Sequence, residues 1–343
     1  MRFLFQLFFV TVSWVMLFSG ISSAEERTPA VRLIFDTDVG NDVDDVLALG
    51  VIHALQSRGE CDLLAVTLTK DNELCAPLVD AINHFYGRGE IPIGAVRGGA
   101  TPEEGRFLHM VRQQDQGRLR YRHDMRSSKD AFEATALLRQ ILNDQPDGSV
   151  VVVQVGFSTN LARLLASPAD DDSPLSGKEL VQRKVKLLSM VGGAFQPING
   201  NQHYLEFNIV KDIPSAQTIV REWPTPIVFS TYELGDAIRY PAESIERDYR
   251  YVQHHPLEDA YRLYVPPPHN RPTWDLTSVL YAIYPERGFF SVSAAGRVSI
   301  DPDGFTRFNQ EANGPHRHLI VDHRQIIRVR ETLVQLASQP PTQ

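Results

Sequence analysis

From Val31 to Leu55 the chain passes from a strand-length apolar run, through a turn holding five aspartates, into apolar residues at helical spacing. The aspartates are Asp36, Asp38, Asp42, Asp44 and Asp45. A strand leading through a short polar turn into a helix is the repeating unit of open α/β sheets, whose ligands bind at the strands' carboxyl ends. Five like charges in one turn repel one another, and a bound cation or raised carboxyl pKa values relieve the repulsion. Oxygen-only donors on a glycine-containing loop favour Ca²⁺ or Mg²⁺ over zinc. The competing account is an acidic helix start capped by Asn41 or Asp42. That account covers one or two of the aspartates, and leaves Asp36 and Asp38 on the strand side facing Asp44 and Asp45.

Further apolar runs of strand length lie at Leu63 to Leu68, Val150 to Val155, Lys186 to Val191 and Pro226 to Phe229. They do not alternate with polar residues, as expected of a parallel sheet covered on both faces. Helices are expected over Leu78 to Tyr86, Ala131 to Leu142, Leu161 to Ala166, Ser215 to Arg221 and Arg324 to Leu336. A hairpin is expected at Ala294 to Ile300, turning through Asp301 to Gly304 into Thr306 to Gln310. Arg97 to Ser128 and Asp170 to Glu179 read as irregular surface excursions. The fold class is a doubly wound, mostly parallel α/β sheet in a single domain.

Phe3 to Phe18 is almost wholly apolar and is followed by small residues up to Ala24, the pattern of a secretory signal peptide, residues 1–24. Residues 25–343 then form the domain, secreted or periplasmic, with no stable membrane span. The net charge of -8 and the lack of a Lys/Arg-rich stretch argue against a nucleic-acid polymer as partner. Cys61 opens an expected strand running to Thr69 and Cys75 lies beyond its far end, roughly 25 Å away at about 3.3 Å per residue, so both are expected to be free, mostly buried thiols.

Three more polar stretches fall where loops at the same sheet edge belong. They are Gly156 to Asn160, Gly192 to Asn208 and Arg271 to Asp275. Taken in order, these motifs resemble the inosine-uridine-preferring nucleoside hydrolase family. Asp36-Thr37-Asp38-Val39-Gly40 with Asp44-Asp45-Val46-Leu47-Ala48-Leu49 matches the family's opening turn and helix. Gly156 to Asn160 matches its G-P-L-T-N, Met190 to Gly193 its M-G-G, and Glu206-Phe207-Asn208 its E-F-N, with the Asp275 helix completing the set.

The resemblance implies Ca²⁺ held by Asp38, Asp45, Asp275 and the backbone carbonyl of Thr159, with a ribose completing the shell. It implies that Asp44, Glu206 and Asn208 bind the sugar, with Asn72 and Asn201 as further candidates, and that Asp38 is the general base. The substrate class is a small-molecule nucleoside or related riboside, and the assembly a homo-oligomer. Two extra residues separate Gly40 from the Asp44-Asp45 pair, so Asp42 is a rival or additional metal ligand. Trp274 stands where many members carry a histidine that protonates the departing base. Indole has no transferable proton, but stacks on planar groups. His109, His123, His203, His254, His255 and His269 are candidate replacement acids. Two other readings remain at this level. One is a non-catalytic Ca²⁺-dependent nucleoside or carbohydrate binder on the same fold. The other is a haloacid-dehalogenase-type phosphatase with Asp36 as nucleophile and Mg²⁺ as its ion.

Overall fold

The computed structural model describes residues 30–171 and 173–342; the signal peptide expected over residues 1–24 lies outside them. In chain order, the strands of the main sheet are β1 (Val31–Thr37), β2 (Cys61–Lys70), β3 (Ile93–Ala100), β4 (Phe132–Glu133), β5 (Val150–Gln154), β6 (Val185–Val191), β7 (Ile227–Ser230), β8 (Gly296–Ile300), β9 (Thr306–Gln310) and β10 (His316–Ile320). Their spatial order is β9-β8-β10-β7-β6-β5-β1-β2-β3-β4, with the short Ser291–Val292 strand beside β10. Eight strands, from β4 across to β10, run parallel. The hairpin of β8 and β9 extends this sheet antiparallel.

Alternation along the strands feeds two cores. Leu33, Phe35, Val151 and Val153 face one core, while Ile34, Val150 and Val152 face the other. The first is covered by helices Asp44–Ser57, Cys75–Phe85, Trp274–Ile283 and His323–Ala337. The second is covered by helices Ala134–Asp144, Thr159–Ala166, Gly177–Lys184 and Ile213–Glu222. Because both faces are buried, the strands carry unbroken apolar runs.

The chain winds outward from β1 in both directions, toward β2 on one side and β5 on the other. Loops leaving the carboxyl ends of β1 and β5 therefore diverge and open a crevice between them. Gly156 permits the close approach there: a Cβ would lie 2.5 Å from the Asp38 amide nitrogen. Gly40 has a φ of 111°, in the region that disfavours side chains.

The expected strands and helices are present, with ends shifted by a few residues. Several strands were not foreseen, among them β3, β10, the short β4 and the Ser291–Val292 strand. In β3, glycines replace the apolar residues after Val96, so half of it read as loop; β10 alternates His316-Arg317-His318-Leu319 and lacks an apolar run. Part of the expected excursion Asp170 to Glu179 is helical, because Ser176 and Glu179 form a reciprocal cap that starts helix Gly177–Lys184. Helix Asp44–Ser57 starts from Val43 with no side-chain cap, so Asn41 and Asp42 are not used that way. Both cysteines are free and buried.

Candidate active site

At the switch point lies a cavity of about 420 Å³. The turn leaving β1 contributes Asp38, the helix after it Asp44 and Asp45, and helix Trp274–Ile283 contributes Asp275. Asp44, Asp45 and Asp275 are all buried and each can offer a carboxylate oxygen within 4.8 Å of the others. Asp275 N–H donates to the Asp44 carboxylate at 3.3 Å, and Thr37 Oγ1 donates to Asp45. Burial first, and then the neighbouring carboxylates, push Asp45 and Asp275 well above the usual carboxylate range. Burial and Asp42 do the same to Asp44. Burial also raises Asp38 to about 7, against a hydrogen bond from Asn41.

Asn41 Nδ2 donates to Asp38 at 2.7 Å, while its Oδ1 accepts from Lys70 Nζ at 2.8 Å. The lysine is thus one residue removed from Asp38 and makes no ion pair with the cluster. A buried set of oxygen donors that repel one another, with no side-chain cation among them, fits a hard divalent cation.

Glu206 and Asn208 form another wall. Glu206 accepts from the amides of Asn208, Ile209 and Gly193 at 3.0, 3.1 and 3.2 Å. Asn208 Nδ2 donates to the Val155 carbonyl at 2.6 Å. The same cavity has an aromatic wall of Tyr204, Tyr232 and Trp274. Tyr204 and Tyr232 have ring centroids 4.5 Å apart, and Tyr232 and Trp274 5.2 Å apart. The indole is fixed by donating to the Tyr232 carbonyl at 2.8 Å. Carboxylates and aromatic rings lining one cavity suit a polar, hydroxylated group joined to a flat one.

The family model described as inosine-uridine preferring nucleoside hydrolase matches residues 33–326. The chain belongs to that family. It is a hydrolase acting on N-glycosyl compounds; nucleoside hydrolases are metal-dependent enzymes, and its acidic cluster could hold a metal ion. No curated protein matches this nucleoside hydrolase family member in sequence. Solved structures share its fold. A plant nucleoside hydrolase is 22% identical with a TM-score of 0.67, over 91% of this chain and 100% of the other. The inosine-uridine preferring nucleoside hydrolase of Bacillus anthracis is 18% identical with a TM-score of 0.67, over 90% and 99%. The type III effector XopQ, solved complexed with adenosine diphosphate ribose, is 16% identical with a TM-score of 0.61, over 91% and 95%.

In this nucleoside hydrolase family member the cavity is lined by Asp38, Asp42, Asp44, Asp45, Glu206, Asn208, Trp274 and Asp275 among the residues singled out in the sequence. Three others do not line it. Asn72 is engaged with the Pro102 carbonyl and the Leu74 amide. Asn201 is exposed and accepts from the His203 amide. Thr159, expected to offer its backbone carbonyl, has its hydroxyl donating to Asp212, a contact that does not involve that carbonyl.

Asp42 lies outside the carboxylate cluster, because the Arg271 guanidinium grips it through Nε and Nη2 and Tyr264 OH donates to it at 3.1 Å. None of the six candidate histidines lines the cavity. Asp36, the nucleophile of the phosphatase reading, has no exposed surface and is held by Thr67 and Asn160. That leaves it out of a substrate's reach, and the family match replaces that reading. Sequence reasoning missed Asn41, Tyr204, Tyr232 and Tyr264. Tyr232 had a positional signal, since it follows the carboxyl end of β7; the others acquire meaning only by proximity.

Proposed function

We propose that this chain is a secreted or periplasmic Ca²⁺-dependent enzyme that hydrolyses the N-glycosidic bond of ribonucleosides or closely related ribosides. The observation carrying the proposal is the convergence of Asp38 and the Asp44, Asp45, Asp275 cluster on a cavity with an aromatic wall. Asp45 and Asp275, with Asp38 beside them, would hold the ion. When bound, calcium supplies positive charge that orders sugar hydroxyls and a water molecule.

Cleavage passes through a sugar with oxocarbenium character, which surrounding carboxylates stabilise. Asp38 takes the proton from the attacking water, the work of a positioned carboxylate base. Asp44, Glu206 and Asn208 accept from and donate to the ribose hydroxyls. Trp274, Tyr232 and Tyr204 stack on the leaving group.

Export rests on the apolar Phe3 to Phe18 run, and mass spectrometry of the exported protein should find Glu25 as its first residue. Among the described residues no helix is long and apolar enough to cross a membrane. Association into a homo-oligomer belongs to the same reading, and the solution mass tests it.

A second reading, a non-catalytic Ca²⁺-dependent binder, is favoured by one observation: among the described residues no histidine reaches the cavity, and Trp274 holds the acid's usual place. The structurally similar effector XopQ was solved complexed with adenosine diphosphate ribose, which is in keeping with a binder. Release of free ribose from purine and pyrimidine nucleosides, with and without Ca²⁺, separates the readings. Calcium-dependent release supports the hydrolase; calcium and nucleoside binding without release supports the binder.

A further inference from the structure

A nucleoside's two halves need opposite help. Carboxylates stabilise the cationic sugar, but the departing heterocycle gains negative charge and needs a donor or a cation. Cavity carboxylates are poorly suited to this: an ionised carboxylate only accepts, Glu206 is assigned to the sugar, and Asp38 is the proposed base. Tyr264 and Tyr204 are pushed above the ordinary tyrosine range by burial, which makes them weaker acids.

One cationic side chain lines the cavity among the described residues, Arg271. Its guanidinium lies over the rings of Tyr264 and Trp274, at 5.1 and 5.2 Å from their centroids. Nε donates to Asp42 Oδ1 at 2.9 Å and Nη2 donates to Asp42 Oδ2. Nη1 has no partner among the described residues, and it is the remaining arm of a rigid planar fork. The cation is therefore anchored on one edge and available on the other, next to the tryptophan on which a flat leaving group would stack. Asp42, which anchors it, sits in the two-residue extension of the aspartate turn.

We infer that Arg271 stabilises the leaving group of the reaction, through a charge-assisted hydrogen bond from Nη1 to a ring nitrogen or carbonyl oxygen of the departing heterocycle. This inference rests on the hydrolase reading proposed above. The bond from C1′ to nitrogen breaks with both electrons going to the heterocycle. Water adds to C1′ and its proton passes to Asp38. The heterocycle leaves as an anion against the guanidinium and takes its proton from bulk water, while Asp38 returns its own to solvent. The preferred leaving groups are heterocycles with carbonyl acceptors that delocalise the charge, as hypoxanthine and uracil do. Asp42 is a positioning residue that acts through Arg271.

The test compares the calcium-loaded wild type with Arg271→Gln and Arg271→Lys on inosine, uridine and 4-nitrophenyl β-D-riboside, whose phenolate leaves without help. Arg271→Gln should lower kcat/KM for the two nucleosides by roughly 10²–10³-fold, as removal of one oxyanion donor does, and change the nitrophenyl riboside far less. Arg271→Lys, which keeps a charge against Asp42, should show the same selectivity with smaller losses. It also carries the test if the glutamine variant does not fold. Equal losses on all three substrates, or unchanged nucleoside rates, would overturn the inference and leave the hydrolase standing. No ribose from any substrate with wild-type protein would instead sink the hydrolase reading, and this inference with it.

Discussion

The backbone amide of Asp275 donates to the carboxylate of Asp44 at 3.3 Å, joining residues 231 positions apart in the sequence. This contact closes the acidic cluster, whose three carboxylates repel one another at low dielectric. Calcium should therefore raise the thermal midpoint, by about 2.7 kcal/mol of stability at 100 times its Kd, and a chelator should abolish turnover. Asp275→Asn should remove the calcium-linked shift without lowering calcium-free stability, since it relieves repulsion. A calcium-linked shift that persists in this variant would contradict the proposed ion site.

Asp38→Asn keeps the shape of the side chain and its contact with Asn41 but removes the proposed base. Turnover should fall by about 10²–10⁴-fold with the far-ultraviolet circular dichroism unchanged. Wild-type turnover would show that another group takes the proton.

Trp274 is held in place by Gly235. A Cβ on Gly235 would lie 2.2 Å from Trp274 Cδ1 and 2.6 Å from its Cα. Gly235→Ala should displace the indole and lower kcat/KM on nucleosides, on the order of 10²-fold if the reacting geometry shifts by about 1 Å. Trp274→Ala should impair planar aromatic leaving groups selectively. Equal losses on aliphatic and aromatic ribosides would remove the stacking role.

Far from the cavity, burial and then Arg88 hold the His53 imidazole at about 3, against its ordinary 6.5. Its Nε2 faces Asn83 Oδ1 at 2.9 Å and its Nδ1 faces Arg88 at 3.4 Å, an arrangement that the neutral ring with its proton on Nε2 satisfies. Below about pH 6.5 the unfolded chain takes a proton that the folded one refuses. The stability present above that pH should therefore be lost, by about 1.4 kcal/mol per pH unit from this residue, as pH falls toward 3. Denaturant unfolding of His53→Gln between pH 7 and 4.5 should show a slope reduced by one proton. An unchanged slope would place the proton uptake elsewhere.

The aspartate turn, the apolar strands and the order of the motifs were legible in the sequence because they are local. A doubly wound sheet buries both faces, which forces unbroken apolar runs, and the switch point then places Asp38, Asp44 and Asp45 at one edge. Glu206, Asn208 and Asp275 were legible as further strand-end residues. Spacing could not say that Asp42 faces Arg271 rather than the carboxylate cluster, nor that Asn72, Asn201 and Thr159 do not line the cavity. Those outcomes depend on which partner comes nearest in three dimensions: Arg271 reaches Asp42 across 229 residues, and Tyr204, Tyr232 and Trp274 form a wall only after separate loops meet. Local chemistry in the sequence determined the fold class and the acidic floor of the cavity. Tertiary packing alone decided which charges are paired and which remain available, because pairing depends on distance in space and not along the chain.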